Sequence, residues 1–172
     1  MNETLKTLKT RRSVRQYDPR PVEREKLEAI LEAGTYAPSA MGRQSVTMAV
    51  LTKKEDIAEL SALNAAVMNS SGDPFYGAPC VVVVLADGEN PNWVADGSLV
   101  LGNLMTAAWS LGVGSCWINR ARELFDMPEG KALLEKWGLP ETLRGVGNCI
   151  LGYAEGPVPA PKPRKDGYIV RV

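Results

Sequence analysis

The sequence predicts one domain in which α-helices cover a β-sheet, and three stretches carry that reading. Residues 80–86, CVVVVLA, are apolar throughout, which fits a strand covered on both faces. Residues 93–111 are helical in pattern and apolar nearly all round, as expected of a buried central helix. Residues 145–154 read as the last core strand, where Gly145, Gly147 and Gly152 leave room for close backbone approach. At 172 residues, the chain has the length of a single domain spanning 1–172 with a substantial core. It shows no internal repeat.

Taken in order, residues 2–9 suit a short helix with Leu5 and Leu8 three apart. An arginine-rich stretch follows, punctuated by Pro19 and Pro21. Glu23 to Ala33 is an amphipathic helix with Leu27, Ile30 and Leu31 inward and Gly34 placed as its C-terminal stop. Residues 36–44 form a turn-rich loop of mostly small side chains, either a plain connector or a surface for something flat. Val46 to Thr52 is a strand by its β-branched content, and Glu55 to Val67 a helix with Ile57, Leu60 and Leu63 on one face. An irregular loop at 69–79 precedes the CVVVVLA strand. Within the central helix, Met105 and Trp109 are read as core residues. Gly112 stops that helix, a short strand runs to Asn119, and Glu129 to Trp137 is helical up to Gly138 and Pro140.

The tail differs in character. Pro157, Pro159, Pro161 and Pro163 alternate with other residues, favouring an extended arm of roughly 25 Å. The arm carries Lys162 and Arg164, and Tyr168 to Val172 reads as a terminal strand. Such a strand needs a sheet edge, either a second copy's or the chain's own.

Composition closes several doors. Lys+Arg and Asp+Glu are both 20, so no global field argues for nucleic acid or an acidic membrane surface. The apolar run at 93–111 is broken by Asp96, Gly97, Gly102 and Asn103 and does not read as membrane-spanning. No secretory signal opens the chain, and cytoplasm is expected. Cys80, Cys116 and Cys149 lie in apolar runs without metal-ligand or redox spacing, as buried residues of a reducing compartment. Histidine is absent, which removes Ser-His and Cys-His relays and imidazole metal sites. An enzyme built this way leaves the chemistry to a cofactor.

The stretch Thr10-Arg11-Arg12-Ser13-Val14-Arg15-Gln16-Tyr17-Asp18 concentrates three guanidinium groups within five residues. If extended, it places Arg11, Ser13 and Arg15 on one side. Two bidentate cationic forks and a hydroxyl suit phosphate oxygens. A solvated basic loop is the plainer reading of the same residues.

These pieces together resemble the flavin-dependent nitroreductases. The resemblance is carried by Arg11-Arg12-Ser13-Val14-Arg15-x-Tyr17, by Pro38-Ser39, by Ser110-Leu111-Gly112-Val113-Gly114, by Leu151-Gly152-Tyr153 and by Lys162-x-Arg164, and it spans nearly the whole chain. It implies an α+β fold of three layers, a central mixed or antiparallel sheet flanked by helices, and a C-terminal arm exchanged in a homodimer. It also implies FMN at the subunit interface, with NAD(P)H as reductant. On that pattern Arg11, Ser13 and Arg15 contact the flavin, Arg12 contributes through its backbone, and Lys162 and Arg164 complete the phosphate site. Pro38, Ser39, Ala40 and Gln44 come from the partner subunit. Backbone groups at Trp117, Ile118, Asn119 and Arg120 face the ring, and Asn64 makes a further contact. The implied activity is hydride transfer to a nitro compound, a quinone or a related small-molecule electron acceptor. The same fold hosts dehalogenation, ene reduction and flavin breakdown, and a flavin-binding module without turnover is a reading of another class. No side-chain acid or base is implied, hence no catalytic residue and no metal. Departures from the family pattern are Gly42 where Asn is common, Ser45-Val46 for Pro-Trp, and Trp117-Ile118-Asn119-Arg120 for a Pro-x-Glu-Gly turn.

Overall fold

A computed structural model describes residues 1–172. Six helices and five strands follow in order: α1 (Glu3–Thr10), β1 (Tyr17–Asp18), α2 (Arg24–Thr35), β2 (Val46–Leu51), α3 (Lys54–Val67), β3 (Cys80–Asp87), α4 (Trp93–Ser110), β4 (Gly114–Ile118), α5 (Ala121–Asp126), α6 (Pro128–Lys136) and β5 (Leu143–Ala154). β3 lies between β2 and β5, both antiparallel to it. The far side of β5 is shared by β4, opposite residues 148–152, and β1, opposite Tyr153 and Ala154. The expected α+β class with a central antiparallel sheet is what forms.

The alternation of β3 explains the three layers. Val81, Val83 and Leu85 face one core, with Leu60 of α3, Leu124 and Phe125 of α5, and Leu133 and Leu134 of α6. Cys80, Val82 and Val84 face the other, with Ile30 of α2 and Val100, Leu101, Leu104 and Ala108 of α4. Every residue from Cys80 to Ala86 is buried, so a period-two strand reads as an unbroken apolar run.

Three expectations are corrected and one element not read from the sequence appears. Gly34 does not stop α2 but lies buried inside it, where a Cβ would sit 2.9 Å from Leu104 Cδ2 and 3.1 Å from Met48 Sδ. The glycine therefore serves helix packing. The central helix is not covered all round: Val94 and Leu99 are exposed on its outer side. Residues 121–126 form α5, a single short turn and a half that has no side-chain cap to announce it. Tyr168 to Val172 forms no strand, because no sheet edge in the chain receives it, and Tyr168, Ile169 and Val170 stand exposed. No helix is long and apolar enough to cross a membrane.

Candidate functional site

The arginine stretch is laid against the outer edge of β4. α1 is capped by Asn2, whose side chain accepts from the Leu5 N–H at 2.9 Å, and ends where the Arg11 N–H reaches the Thr7 carbonyl. From there Val14 N–H donates to the Ser115 carbonyl at 3.0 Å, and Ser13 pairs with Ser115 as an isolated parallel bridge. Val14 can lie this close because residue 114 is glycine; a Cβ there would stand 2.8 Å from Val14 Cγ2. The Tyr17 hydroxyl, buried, donates to the Val14 carbonyl at 2.8 Å and pins the turn into β1. Burial pushes that phenol far above its ordinary range.

Extended geometry thus holds, but the side chains divide. Arg11, Arg12 and Ser13 are half-buried and Arg15 is exposed. Arg12 Nη1 donates to the carbonyls of Lys9 and Arg11. Arg11 Nη1 and Arg12 Nε are buried with no hydrogen-bond partner. Beside them on the sheet, Ser115 Oγ and Trp117 Nε1 are buried and unpartnered too. Ser115 and Trp117 pair with Leu151 and Cys149 of β5, which places both on the α4 side. Burial pushes the Cys149 thiol up strongly, and the Arg11 charge nearby opposes it. The Cys80 thiol is pushed up to about 12 by burial alone, so neither thiol is a nucleophile.

The remaining unpartnered atom is Asn148 Oδ1, on the opposite face of the sheet. Asn148 donates through Nδ2 to Asn64 Oδ1 at 3.3 Å, and both residues are fully buried. Buried polar groups without partners are rare in folded chains and call for an explanation. Here four of the five sit on Arg11, Arg12, Ser115 and Trp117. Guanidinium, hydroxyl and indole groups in that set are donors, matching a ligand rich in acceptor oxygens and nitrogens.

Of the other expected residues, Trp117 belongs to this cluster and most of the rest lie apart from it. Pro38, Ser39 and Gln44 line a cavity of about 150 Å³ with Asp96 and Val100, between α2, β2 and α4. Ala40 opens a 3-10 turn in the same loop. Trp117 and Ile118 end β4, whereas Asn119 and Arg120 are exposed beyond it. Arg120 has φ 81°, ψ 0°, a left-handed conformation that favours glycine, and its Nη1 meets Glu123 Oε1 at 2.6 Å. The arm begins beside the arginine stretch, where Ser13–Gln16 and Ala154–Pro159 line a groove of about 390 Å³. Lys162 and Arg164 stand further along it, exposed, with no bond to the rest of the chain. Within one chain, then, the two ends of the expected phosphate site do not meet.

Three polar residues escaped the sequence reading: Ser115, Asn148 and Asp96. Each carried a visible signal, a polar side chain inside an apolar strand or helix. Asp96 is 3 % exposed yet has no cationic partner, and accepts from the Ala40 N–H at 3.0 Å.

Comparison with known proteins converges on one family. The nitroreductase family model matches residues 8–74 and 66–153. A protein of Archaeoglobus fulgidus assigned as an NADH dehydrogenase/NAD(P)H nitroreductase is 33 % identical over 174 residues, covering 98 % of this chain and 91 % of its own. An NAD(P)H-dependent FMN reductase of Bacillus subtilis is 28 % identical over 176 residues, covering 89 % of this chain and 66 % of its own. Among solved structures, a Bacteroides fragilis nitroreductase with bound FMN superposes with a TM-score of 0.92 at 34 % identity, both chains covered in full. A Desulfitobacterium hafniense nitroreductase with bound FMN gives 0.89 at 30 % identity, covering 100 % of this chain and 99 % of that one. With the arginine stretch, the three layers and the donor cluster in place, the chain belongs to the nitroreductase family.

Proposed function

We propose that this protein is an FMN-dependent oxidoreductase that takes hydride from NAD(P)H and delivers it to a small acceptor such as a nitro compound or a quinone. The observation that carries the reading is the set of unpartnered buried donors on Arg11, Arg12, Ser115 and Trp117. They fit a phosphorylated, heteroatom-rich cofactor, and the relatives of like length include two with FMN bound. When bound, FMN supplies the two-electron chemistry between reductant and acceptor.

The chain's own part is to bind and orient. Arg11 and Arg15 neutralise the phosphate side and Ser13 offers it a hydroxyl donor, while Arg12 holds the stretch in shape through its bonds to the Lys9 and Arg11 carbonyls. Trp117, Ile118, Asn119 and Arg120 border the ring at the end of β4.

The site is completed by a second copy. Pro38, Ser39, Ala40 and Gln44 reach it from the partner, and the arm is exchanged so that Lys162 and Arg164 close on the phosphate. The exposed Tyr168, Ile169 and Val170 of the arm, and Val94 and Leu99 on α4, support a homodimer in which these side chains are covered. Three buried free cysteines support a reducing compartment, the cytoplasm.

An anaerobic absorbance titration of the purified protein with NADPH and then NADH tests the reading. Flavin bands that bleach and return on adding a nitroaromatic or a quinone are expected. A colourless protein that takes up no added FMN would overturn it.

A further inference from the structure

Asp96 is an unusual residue to bury. It lies in the first turn of α4, is 3 % exposed, and faces no lysine or arginine within ion-pair distance. A buried carboxylate without a cation is costly unless hydrogen bonds satisfy it. Two of its three bonds come from one loop, residues 38–45, and the third from Asn90 just before α4. Oδ1 accepts from the Ala40 N–H at 3.0 Å, and Oδ2 accepts from Asn90 Nδ2 at 3.0 Å and from Ser45 Oγ at 3.4 Å. Asn90, itself 5 % exposed, also donates to Ser45 Oγ at 2.7 Å. The carboxylate therefore grips the loop 38–45 near both of its ends.

That loop needs gripping. Met41, Gly42 and Gln44 have φ of 55°, 64° and 50°, three left-handed residues in four, two of them bearing side chains. Such a backbone persists only where its surroundings enforce it. Inside the loop, Ser39 Oγ accepts from the Gln44 N–H at 3.0 Å. The tip gains little packing in return: Met41 is 87 % exposed, and Gly42, Arg43 and Gln44 are exposed as well. A strained, outward-facing loop braced by a buried charge is shaped for something outside the core.

We propose that Asp96 is the positioning residue that fixes the 38–45 loop in its flavin-contacting shape, an inference that rests on the flavin reading above. It touches neither cofactor nor acceptor; it acts through Ala40 and Ser45. Asp96→Asn keeps the volume and the bond to Ala40. It removes the charge and sets one amide donor against that of Asn90.

The test measures FMN dissociation constants by fluorescence quenching on apo protein, with melting followed on the same samples. Asp96→Asn is expected to weaken FMN at least tenfold, and Ser45→Ala about threefold. The double variant should fall no more than twofold below Asp96→Asn, because both act through one contact. A residue that merely supports the fold would lower the melting temperature and leave FMN affinity within twofold of wild type, which would overturn the proposal. Full additivity in the double variant would overturn it too. Should Asp96→Asn fail to fold, Ser45→Ala decides alone, and unchanged FMN affinity there counts against the brace. A wild-type protein that binds no FMN brings down the flavin reading first; one that binds it while both variants bind equally well brings down this inference only.

Discussion

Trp109 near the end of α4 donates its indole Nε1–H to the hydroxyl of Thr10 at 2.9 Å, across 99 residues of sequence. Thr10 in turn donates to the Lys6 carbonyl at 2.8 Å. The helix on which one core is built is thereby fastened to the residue that precedes the arginine stretch. Trp109→Phe keeps most of the ring's packing and deletes the bond. A loss of about 0.5–1.5 kcal/mol is expected in urea unfolding, the ordinary net contribution of such a bond. Thr10→Val should cost a similar amount, and the double variant less than the sum of the two, which a double-mutant cycle measures.

Gly147 makes room for Trp117. A Cβ at that position would stand 2.5 Å from Trp117 Nε1, 2.8 Å from its Cε2 and 3.0 Å from Leu101 Cδ1. Gly147→Ala must push the indole off its seat, and the unpartnered N–H moves with it. Overpacking of this kind costs about 1–3 kcal/mol. The expected outcome is a lower melting temperature together with weaker FMN binding and an altered tryptophan emission spectrum. A variant with wild-type emission would show that the ring has not moved.

How far the sequence disclosed all this depends on which interactions set each feature. Local pattern was enough for α3, with Ile57, Leu60 and Leu63 on one face, and for β3, whose seven apolar residues require cover on both sides. Gly34 was misread because a glycine ending an amphipathic run looks the same whether it stops a helix or admits Leu104 and Met48. The Tyr168–Val172 segment has strand composition, but a strand exists only against an edge. In the site, the arginine stretch was legible because three charges in five residues stand out against a neutral chain. Asp96 was visible only as an interruption of an apolar run, since its meaning lies in Ala40, 56 positions away.

Arg144 and Asp126 predict a weak acid sensitivity. Arg144 Nε donates to Asp126 Oδ1 at 2.8 Å and Nη2 to Oδ2, a bidentate pair whose guanidinium also lies 4.6 Å from the Trp93 ring centroid. The hydrogen bonds from Arg144 hold the Asp126 carboxyl below its ordinary value. A depressed folded pKa means the unfolded chain takes up the proton first as pH falls. Stability from this pair is therefore full above the unfolded carboxylate pKa of about 3.9 and drains away as pH drops through the lower folded value. Side chains about a third exposed keep the effect small and salt-sensitive. Unfolding curves from pH 7 to pH 2 should show wild type and Arg144→Met converging below about pH 4, and converging sooner in high salt. A constant gap across the range would mean that Arg144 acts by packing on Trp93 instead.

Arg120 pays for its place in backbone conformation. At φ 81° and ψ 0° it occupies ground that suits glycine, and no side chain caps the helix that starts there. A left-handed L-residue costs about 1–2 kcal/mol. Its ion pair with Glu123 is half-exposed on both sides and returns little of that. Arg120→Gly should therefore hold or raise the melting temperature, even though an ion pair is lost. The Glu123 carboxyl, now held low chiefly by its bond to Arg120, should move back toward its ordinary value in an NMR titration. Arg120→Ala separates the two effects, because it loses the pair and keeps most of the backbone strain. It should fall below Arg120→Gly in stability by about 1 kcal/mol. Equal stability of the glycine and alanine variants would show that the left-handed backbone at this position carries no strain.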